Sequence, residues 1–276
     1  LSPALPPVVY GSKPADGGHL ILDTVEERDR ALSDPYARPY VRQYLGAREL
    51  IQGIGRWCLW MVDLEASAYR QSKFLQERVH AVKSFREASP KAATRELAAT
   101  PHLFAEVRRI DGNFVCIPRH FSSRRKYATV GYFEQAAVSG DANFVASDPD
   151  GFVFALISSR LFMAWQRAVG GEIKSDLRFS NTVVWNNLAL PAMNEGQRAA
   201  IVQCGKTVLN ARSLYPEATL ADLYDPDNEF IYPELTKAHK ALDVAVERAY
   251  GLEPGCPENE IVAHLFHLYS AAIAKG

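Results

Sequence analysis

The sequence has 276 residues, enough for one large domain or two ordinary ones, and its 47% apolar and 23% charged residues are typical of a folded globular protein. It contains no run of about 18 apolar residues, which excludes a membrane span, and its four cysteines form no CxxC or Cys/His cluster, which argues against a structural zinc site and a disulfide framework. We therefore expect a soluble, cytoplasmic protein, and the start from Leu1 to Pro7, without an initiator Met or a signal-peptide pattern, suggests a fragment of a longer one.

The net charge of −1 hides an uneven distribution along the chain. Residues 64–132 contain 13 Lys and Arg against 6 Asp and Glu, whereas residues 191–276 contain 7 against 12. A basic block in an otherwise acidic chain is expected of a phosphate-binding face, because neutralising phosphates releases their condensed counterions. A solvated helix face is the alternative explanation.

The first third of the chain predicts an irregular start followed by a few regular elements. Residues 1–22 are rich in Pro and Gly, and Asp23 or Thr24 is placed to cap a helix. The aromatic and apolar run Arg56–Val62 predicts a buried strand. The charged, helix-periodic stretch Glu65–Ala88 predicts one long helix, which carries much of the basic charge.

Strand-like runs alternate with turns in the middle of the chain, and helical patterns dominate its last third. The predicted strands are Phe114–Ile117, Tyr127–Phe133, Asn143–Ala146 and Thr182–Trp185, and the predicted helices are Phe152–Val169, Glu195–Arg212, Pro233–Tyr250 and Glu258–Ala274. The change to Ala-rich helical periodicity predicts a domain boundary near Leu190.

Three segments carry a resemblance to a known family. They are IPRHFSSRRKY (Ile117–Tyr127), SSRLFMAWQRAVGGEIKSDLRFSNTVVWNN (Ser158–Asn187), and upstream YGSKPADGGHL with YLGARELIQGIGRWCLWMVD. In order and spacing they resemble the specificity region of the MmeI-type (type IIL or IIG) bifunctional restriction enzymes and adenine-specific DNA methyltransferases. The resemblance covers nearly the whole chain.

The resemblance implies an α+β fold in three parts. Residues 1–87 would be a lead-in segment of strands and helices that connects from a methyltransferase domain, residues 88–190 a mixed α/β DNA target-recognition domain, and residues 191–276 a helical C-terminal domain. In such enzymes a nuclease domain and a methyltransferase domain precede these parts on one polypeptide. The chain has no NPPY-like tetrapeptide and no Gly-rich methyl-donor loop. We therefore expect S-adenosylmethionine and Mg²⁺ to act in the parent enzyme and not in this chain, which has no predicted catalytic residue.

The segment KSDLRFS contains side chains that are expected to read bases. Lys174, Asp176 and Arg178 are two residues apart, so an extended backbone would present all three on one face. A Lys donates to guanine O6 and N7 while a carboxylate accepts from cytosine N4, so Lys174 and Asp176 would read one G·C pair. The resemblance implies that this pair specifies G as the last recognised base. A surface ion pair in a turn is the alternative.

The resemblance also implies two further pairs of specificity residues. Arg119 with Asp141 would read G at the third base, and Ala142 with Arg178 would accept either purine at the fourth. With the adenine taken from the family's methylated position, the implied site is NNGRAG. The expected partner of the chain is therefore double-stranded DNA.

A short basic segment precedes Tyr127. Arg124, Arg125 and Lys126 are consecutive and cannot all face one groove, so we expect them to contact backbone phosphates. Ser122 and Ser123 would add hydroxyl donors. A solvated turn is the alternative.

Two other classes of function remain open from the sequence. Asp150 after Pro, followed by Glu172 and Lys174, matches the PD...ExK spacing of metal-dependent nucleases, in which two carboxylates hold Mg²⁺. The acidic helical part would also suit a protein-interaction scaffold that does not bind DNA. His264 and His267 lie three residues apart on the last helix, but no acidic or Cys partner is spaced to complete a metal site, and none is expected.

Overall fold

The computed structural model describes residues 5–173 and 176–274. The strands are β1 (Val9–Tyr10), β2 (Ile21–Leu22), β3 (Val41–Leu45), β4 (Trp57–Leu59), β5 (Phe114–Pro118), β6 (His120–Ser122), β7 (Gly131–Phe133), β8 (Val138–Ser139), β9 (Asn143–Ser147), β10 (Gly171–Ile173) and β11 (Asp176–Arg178). The α-helices are α1 (Val25–Ser33), α2 (Ala47–Gln52), α3 (Ala66–Gln71), α4 (Lys73–Glu87), α5 (Ala92–Glu96), α6 (Phe152–Ile157), α7 (Arg160–Val169), α8 (Glu195–Ser213), α9 (Leu220–Leu223), α10 (Pro233–Ala249) and α11 (Glu258–Ile273). The prediction of a mixed fold followed by a helical C-terminal region is confirmed.

The chain folds as two compact units, and each unit is assembled from segments that are separated in the sequence. The N-terminal unit comprises Tyr10–Arg109 together with Gln135–Asn143. The C-terminal unit comprises Ile110–Glu134 and the chain from Phe144 onward, with the residues that precede Tyr10. Each unit has its own cluster of buried apolar side chains. Within the described residues, no helix is both long and apolar enough to cross a bilayer.

The N-terminal unit is built on a four-stranded sheet in the order β2-β4-β3-β8. Strand β4 pairs antiparallel with β2 and with β3, while β8 pairs parallel with β3. Thr24 caps α1 as predicted, because its hydroxyl accepts a hydrogen bond from the backbone N–H of Glu27 at 3.2 Å. The predicted strand at Arg56–Val62 is present as β4, whose Cys58 and Leu59 are fully buried.

The prediction of one long helix over Glu65–Ala88 is wrong in its continuity, because two helices, α3 and α4, meet at Ser72. The backbone of Ser72 is extended, with φ −95° and ψ 108°. Its hydroxyl accepts from the N–H of Leu75 at 3.0 Å and donates to Asp34 Oδ2 at 2.6 Å. A serine that satisfies the first N–H groups of a new helix lets the apolar periodicity continue while the helix restarts.

The C-terminal unit contains two sheets and the helices from α6 to α11. In one sheet β9, β5 and β7 lie side by side in that order, with β5 and β7 antiparallel. The other sheet has the order β10-β11-β6, and both of its pairings are antiparallel. Every side chain of α6 is buried. Helix α8 packs closely on α6 at Gly205, where an added Cβ would come within 2.7 Å of the Cβ of Ala155.

Two further predictions in this unit were wrong in detail. The predicted helix Phe152–Val169 is divided into α6 and α7 by a serine pair, and Ser159 caps α7 by accepting from the N–H of Phe162 at 3.2 Å. The predicted strand Thr182–Trp185 is a π-helical turn that Ser180 caps. The β-branched run favours a strand, but the indole N–H of Trp185 bonds the carbonyl of Pro6, and this tertiary contact outweighs local propensity.

Candidate nucleic-acid interface

Strand β11, at the centre of the three-stranded sheet, has one exposed polar side. Asp176 and Arg178 are exposed, whereas Leu177 between them is 1% exposed. Because side chains alternate along a strand, Asp176 and Arg178 lie on the same face of the sheet. Lys174, predicted for this face, lies outside the described residues.

Strand β6 adds two polar residues beside them. The register sets His120 opposite Arg178 and Ser122 opposite Asp176. Phe121, between the two, is 1% exposed, so β6 alternates in the same way as β11. We name His120, Ser122, Asp176 and Arg178 the polar face. Sequence reasoning missed His120 as a site residue, although the polar–apolar–polar order of residues 120–122 was a usable signal.

The buried side of this sheet packs on an aromatic core. The ring of Phe179 lies 6.1 Å from that of Phe121 and 5.2 Å from that of Phe144, measured between centroids. The fully buried Gln166 of α7 donates a hydrogen bond from Nε2 to the carbonyl of Arg178 at 3.0 Å. The polar face is therefore held by packing and by a side-chain hydrogen bond to its backbone, which limits the ordering entropy lost when a ligand binds.

The segment Ser122–Lys126 forms a turn at the end of β6, which we name the basic turn. Ser123 and Arg124 are exposed on it, and Arg124 pairs with Asp227 at 3.0 Å. Both members of that ion pair are more than two-thirds exposed, so it contributes little stability and can exchange for another anion. The ammonium of Lys126 is also exposed, above the ring of the following Tyr127.

Arg125 differs from its two basic neighbours because it is half-buried. Its guanidinium donates to Thr129 Oγ1 at 3.2 Å, and its carbonyl accepts from Arg167 at 3.2 Å. Burial lowers the pKa of Arg125, while the carboxylates of Asp225 and Asp176 oppose that effect. Arg125 therefore helps to shape the basic turn, and Arg124 and Lys126 are its more available cations.

Arg119, a predicted base reader, stands between β5 and β6. Its side chain is half-buried, and its carbonyl accepts from the N–H of Phe179 at 2.9 Å. That backbone bond continues the β11–β6 pairing by one residue. Arg119 therefore directly precedes the part of β6 that contributes to the polar face.

Asp141 and Ala142, the other predicted base readers, belong to the N-terminal unit. They occupy the two central positions of a β-turn, which the bond from Asn143 N–H to the carbonyl of Gly140 closes at 3.0 Å. Gly140 is needed there, because an added Cβ would collide with the hydroxyl of Tyr44. Burial, with the nearby carboxylate of Asp141, raises the pKa of Tyr44.

A buried polar network begins at the residue that follows the basic turn. The hydroxyl of Tyr127 donates to Asp243 Oδ2 at 2.7 Å, and Asp243 Oδ1 accepts from the N–H of Arg160 at 2.8 Å. The Arg160 guanidinium pairs with the buried Glu247 at 2.6 Å. Burial raises the pKa of Asp243 to about 6, against the hydrogen bonds from Arg160 and Tyr127. The network ties the end of the turn to α10.

The residues of the alternative nuclease motif are engaged differently from metal ligands. Asp150 Oδ1 accepts from the N–H of Phe152, the first residue of α6, at 3.1 Å, and its Oδ2 pairs with Arg198 at 2.8 Å. Glu172 is exposed on β10, and Lys174 is not among the described residues. In the described part of the chain, no three His, Cys, Asp or Glu side chains gather as a metal site.

Two family models match the sequence and together cover nearly all of it. The MmeI target recognition domain matches residues 1–192, and the MmeI C-terminal domain matches residues 193–275. Among curated proteins, DNA methyltransferase A of Bacillus subtilis (strain 168) is 30% identical over 265 residues, which cover 96% of this chain and 30% of that protein.

The fold is similar to a solved structure of the Type IIL restriction-modification enzyme MmeI in complex with DNA. The TM-score is 0.89 at 33% sequence identity, and the alignment covers 98% of this chain and 36% of that chain. The chain thus spans about a third of the length of the relatives it matches.

Proposed function

Because this chain belongs to the MmeI family, comprising its target recognition and C-terminal domains, we propose that it recognises a specific sequence of double-stranded DNA for a restriction-modification enzyme. The observation that carries the proposal is the polar face, supported by a rigid aromatic core and continued by the basic turn. Such a surface combines groups that can read base edges with cations that can bind phosphates.

In the proposed mode of binding, the polar face reads bases and the basic turn binds phosphates. Strands β11 and β6 of the three-stranded sheet would present their exposed side chains to the major groove, where each base pair has a distinct pattern of donors and acceptors. Arg124 and Lys126, with the hydroxyls of Ser122 and Ser123, would contact phosphates and set the register without reading sequence. Arg125 would keep the turn in shape while adding positive charge.

We propose that Lys174 and Asp176 read the last base pair of the site. Lys174 has only donors and ionised Asp176 only acceptors, which matches guanine and cytosine in one orientation. The exposed position of Asp176 on the polar face supports this assignment. Arg178, two residues further along the same face, would reach N7 of a purine at the fourth position.

The remaining proposed readers are Arg119, Asp141 and Ala142. Arg119 would bind guanine O6 and N7 at the third position while Asp141 accepts from the paired cytosine, and the small Ala142 would leave room for either purine at the fourth. The position of Asp141 and Ala142 at the tip of a tight turn, which is suited to entering a groove, supports their part. The resulting site is NNGRAG.

We also propose that the complete protein carries nuclease and methyltransferase domains N-terminal to this chain and acts in the cytoplasm. It would methylate adenine with S-adenosylmethionine and cleave DNA with Mg²⁺. The lengths of the relatives support this proposal. Neither cofactor is assigned to residues of this chain. The division at residues 87 and 190 also remains a proposal, and the junction of the two family models at residues 192 and 193 supports its second boundary.

The proposal is tested by incubating the 276-residue chain with a randomised duplex library and sequencing the duplexes that it retains. We expect enrichment of NNGRAG and an affinity that falls steeply as salt rises, because phosphate contacts release counterions. Equal recovery of all sequences, or an affinity that does not depend on salt, would contradict the proposed function.

A further inference from the structure

The pairing of β11 with β6 sets His120 directly opposite Arg178. Antiparallel pairs alternate between hydrogen-bonded and non-hydrogen-bonded types, and the bond from Phe179 N–H to the carbonyl of Arg119 marks that pair as hydrogen-bonded. The neighbouring pair of Arg178 and His120 is therefore of the other type, in which opposed Cβ atoms stand about 4.5–5.5 Å apart. A ligand that Arg178 touches is thus within reach of His120.

The imidazole of His120 is also available for a ligand. It is exposed on the same side of the sheet as Asp176 and Arg178, while Phe121 beside it is buried. Within residues 5–173 and 176–274 its side chain makes no hydrogen bond or ion pair. It stands on the strand and not in the basic turn that follows, so the strand alternation directs it to the surface that Arg178 shares.

We propose that His120 contacts the group at C6 of the fourth-position purine whose N7 Arg178 binds. The inference rests on the proposed function, because it takes base reading by the polar face as its premise. Adenine presents a donor at this position, N6–H₂, whereas guanine presents an acceptor, O6. A neutral imidazole has one donor and one acceptor nitrogen, and either tautomer is accessible. His120 therefore accepts from adenine or donates to guanine, which accounts chemically for a position that tolerates both purines.

His120 is then a specificity residue, and the hydrogen-bond donors and acceptors of its side chain decide which purine is accepted. His120→Lys offers donors only, so it should bind a G at the fourth position roughly tenfold better than an A. His120→Gln keeps one donor group and one acceptor group, so it should accept both purines as the wild type does. His120→Ala should lose roughly tenfold in affinity for both purines.

The test measures the affinity of the chain for duplexes that differ only at the fourth position, with the first two bases taken from library selection. His267→Lys is the matched control, because His267 is exposed on α11, and it should leave the fourth-base preference unchanged. Thermal unfolding checks that each variant is folded. If His120→Lys destabilises the chain, His120→Arg offers the same donors-only chemistry.

The outcomes separate this inference from its premise. If the wild type selects a purine at the fourth position but His120→Lys leaves A and G equal, the inference is overturned while the proposed function stands. If His120→Lys and His120→Ala change the affinity for all duplexes alike, His120 is a phosphate contact and the inference is again overturned. If the wild type selects no sequence at all, it is the proposed function that fails.

Discussion

The buried side-chain amide of Gln166 donates a hydrogen bond to the backbone carbonyl of Arg178, with 3.0 Å between Nε2 and the oxygen. The Oε1 atom of Gln166 is buried and accepts no hydrogen bond from the described residues. Gly170 leaves space for this amide, since an added Cβ there would collide with it. The amide thus fixes the strand at the residue proposed to read the fourth base.

Replacing Gln166 should loosen that strand. In Gln166→Met the carbonyl of Arg178 loses the hydrogen bond from the side-chain amide, so the free energy of unfolding should fall by about 1 kcal/mol. Denaturant unfolding measures the loss, and Gln203→Met, at an exposed position of α8, is the control that should change little. Equal stabilities of the Gln166 variant and the wild type would show that the bond does not support β11.

The basic turn should supply affinity without specificity. Arg124→Ala combined with Lys126→Ala should weaken binding to all duplexes alike and reduce the salt dependence by the equivalent of about two phosphate contacts. Arg125 is left in place because its half-buried guanidinium shapes the turn. Fluorescence anisotropy at several salt concentrations tests this, with Lys206→Ala combined with Lys240→Ala as the control on exposed helix positions. A loss confined to one sequence would contradict a phosphate role.

Asp243 should make stability depend on pH. Its pKa is raised to about 6 from 3.8, so the folded chain holds this proton more tightly than the unfolded chain does. The contribution of this group to stability is therefore greatest at low pH and is lost as pH rises through about 6.

Asp243→Asn lacks the titrating carboxyl, so it removes the contribution of this group to the pH dependence of stability. The stability of the variant minus that of the wild type should rise by on the order of 2 kcal/mol between pH ~4.5 and ~7.5. Other titrating groups, such as His239, are present in both proteins and cancel in the difference. Denaturant unfolding at both pH values is the measurement, and a difference that stays constant would show that Asp243 titrates normally.

Local sequence patterns predicted the features that depend only on residues close together in the chain. Thr24 caps α1 because the hydroxyl and the N–H that it accepts from lie three residues apart, and the common face of Asp176 and Arg178 follows from the period of any strand. The breaks at Ser72 and Ser159 were missed because serine caps leave the apolar period of the flanking helices intact.

The pairing of β6 with β11 could not be derived from local patterns. The pairing of His120 with Arg178 joins strands distant in sequence, and nothing in either segment specifies its partner. The same holds for Gln166, whose bond to Arg178 depends on how α7 packs under the sheet. The half-burial of Arg125 was missed for a similar reason, since three consecutive basic residues look equivalent in the sequence.

The measurement that tests the central claim most directly is a specificity exchange at the last base pair. Lys174→Glu with Asp176→Arg reverses donor and acceptor, so the last base selected from a randomised duplex library should change from G to C, with each mismatch costing about 1–3 kcal/mol. Either single change should weaken recognition, because it sets two like charges against one base pair. Reversal of the exposed Arg30–Glu77 ion pair is the matched control and should leave the selected sequence unchanged. A double variant that still selects G would show that these two residues form a surface ion pair and do not read DNA.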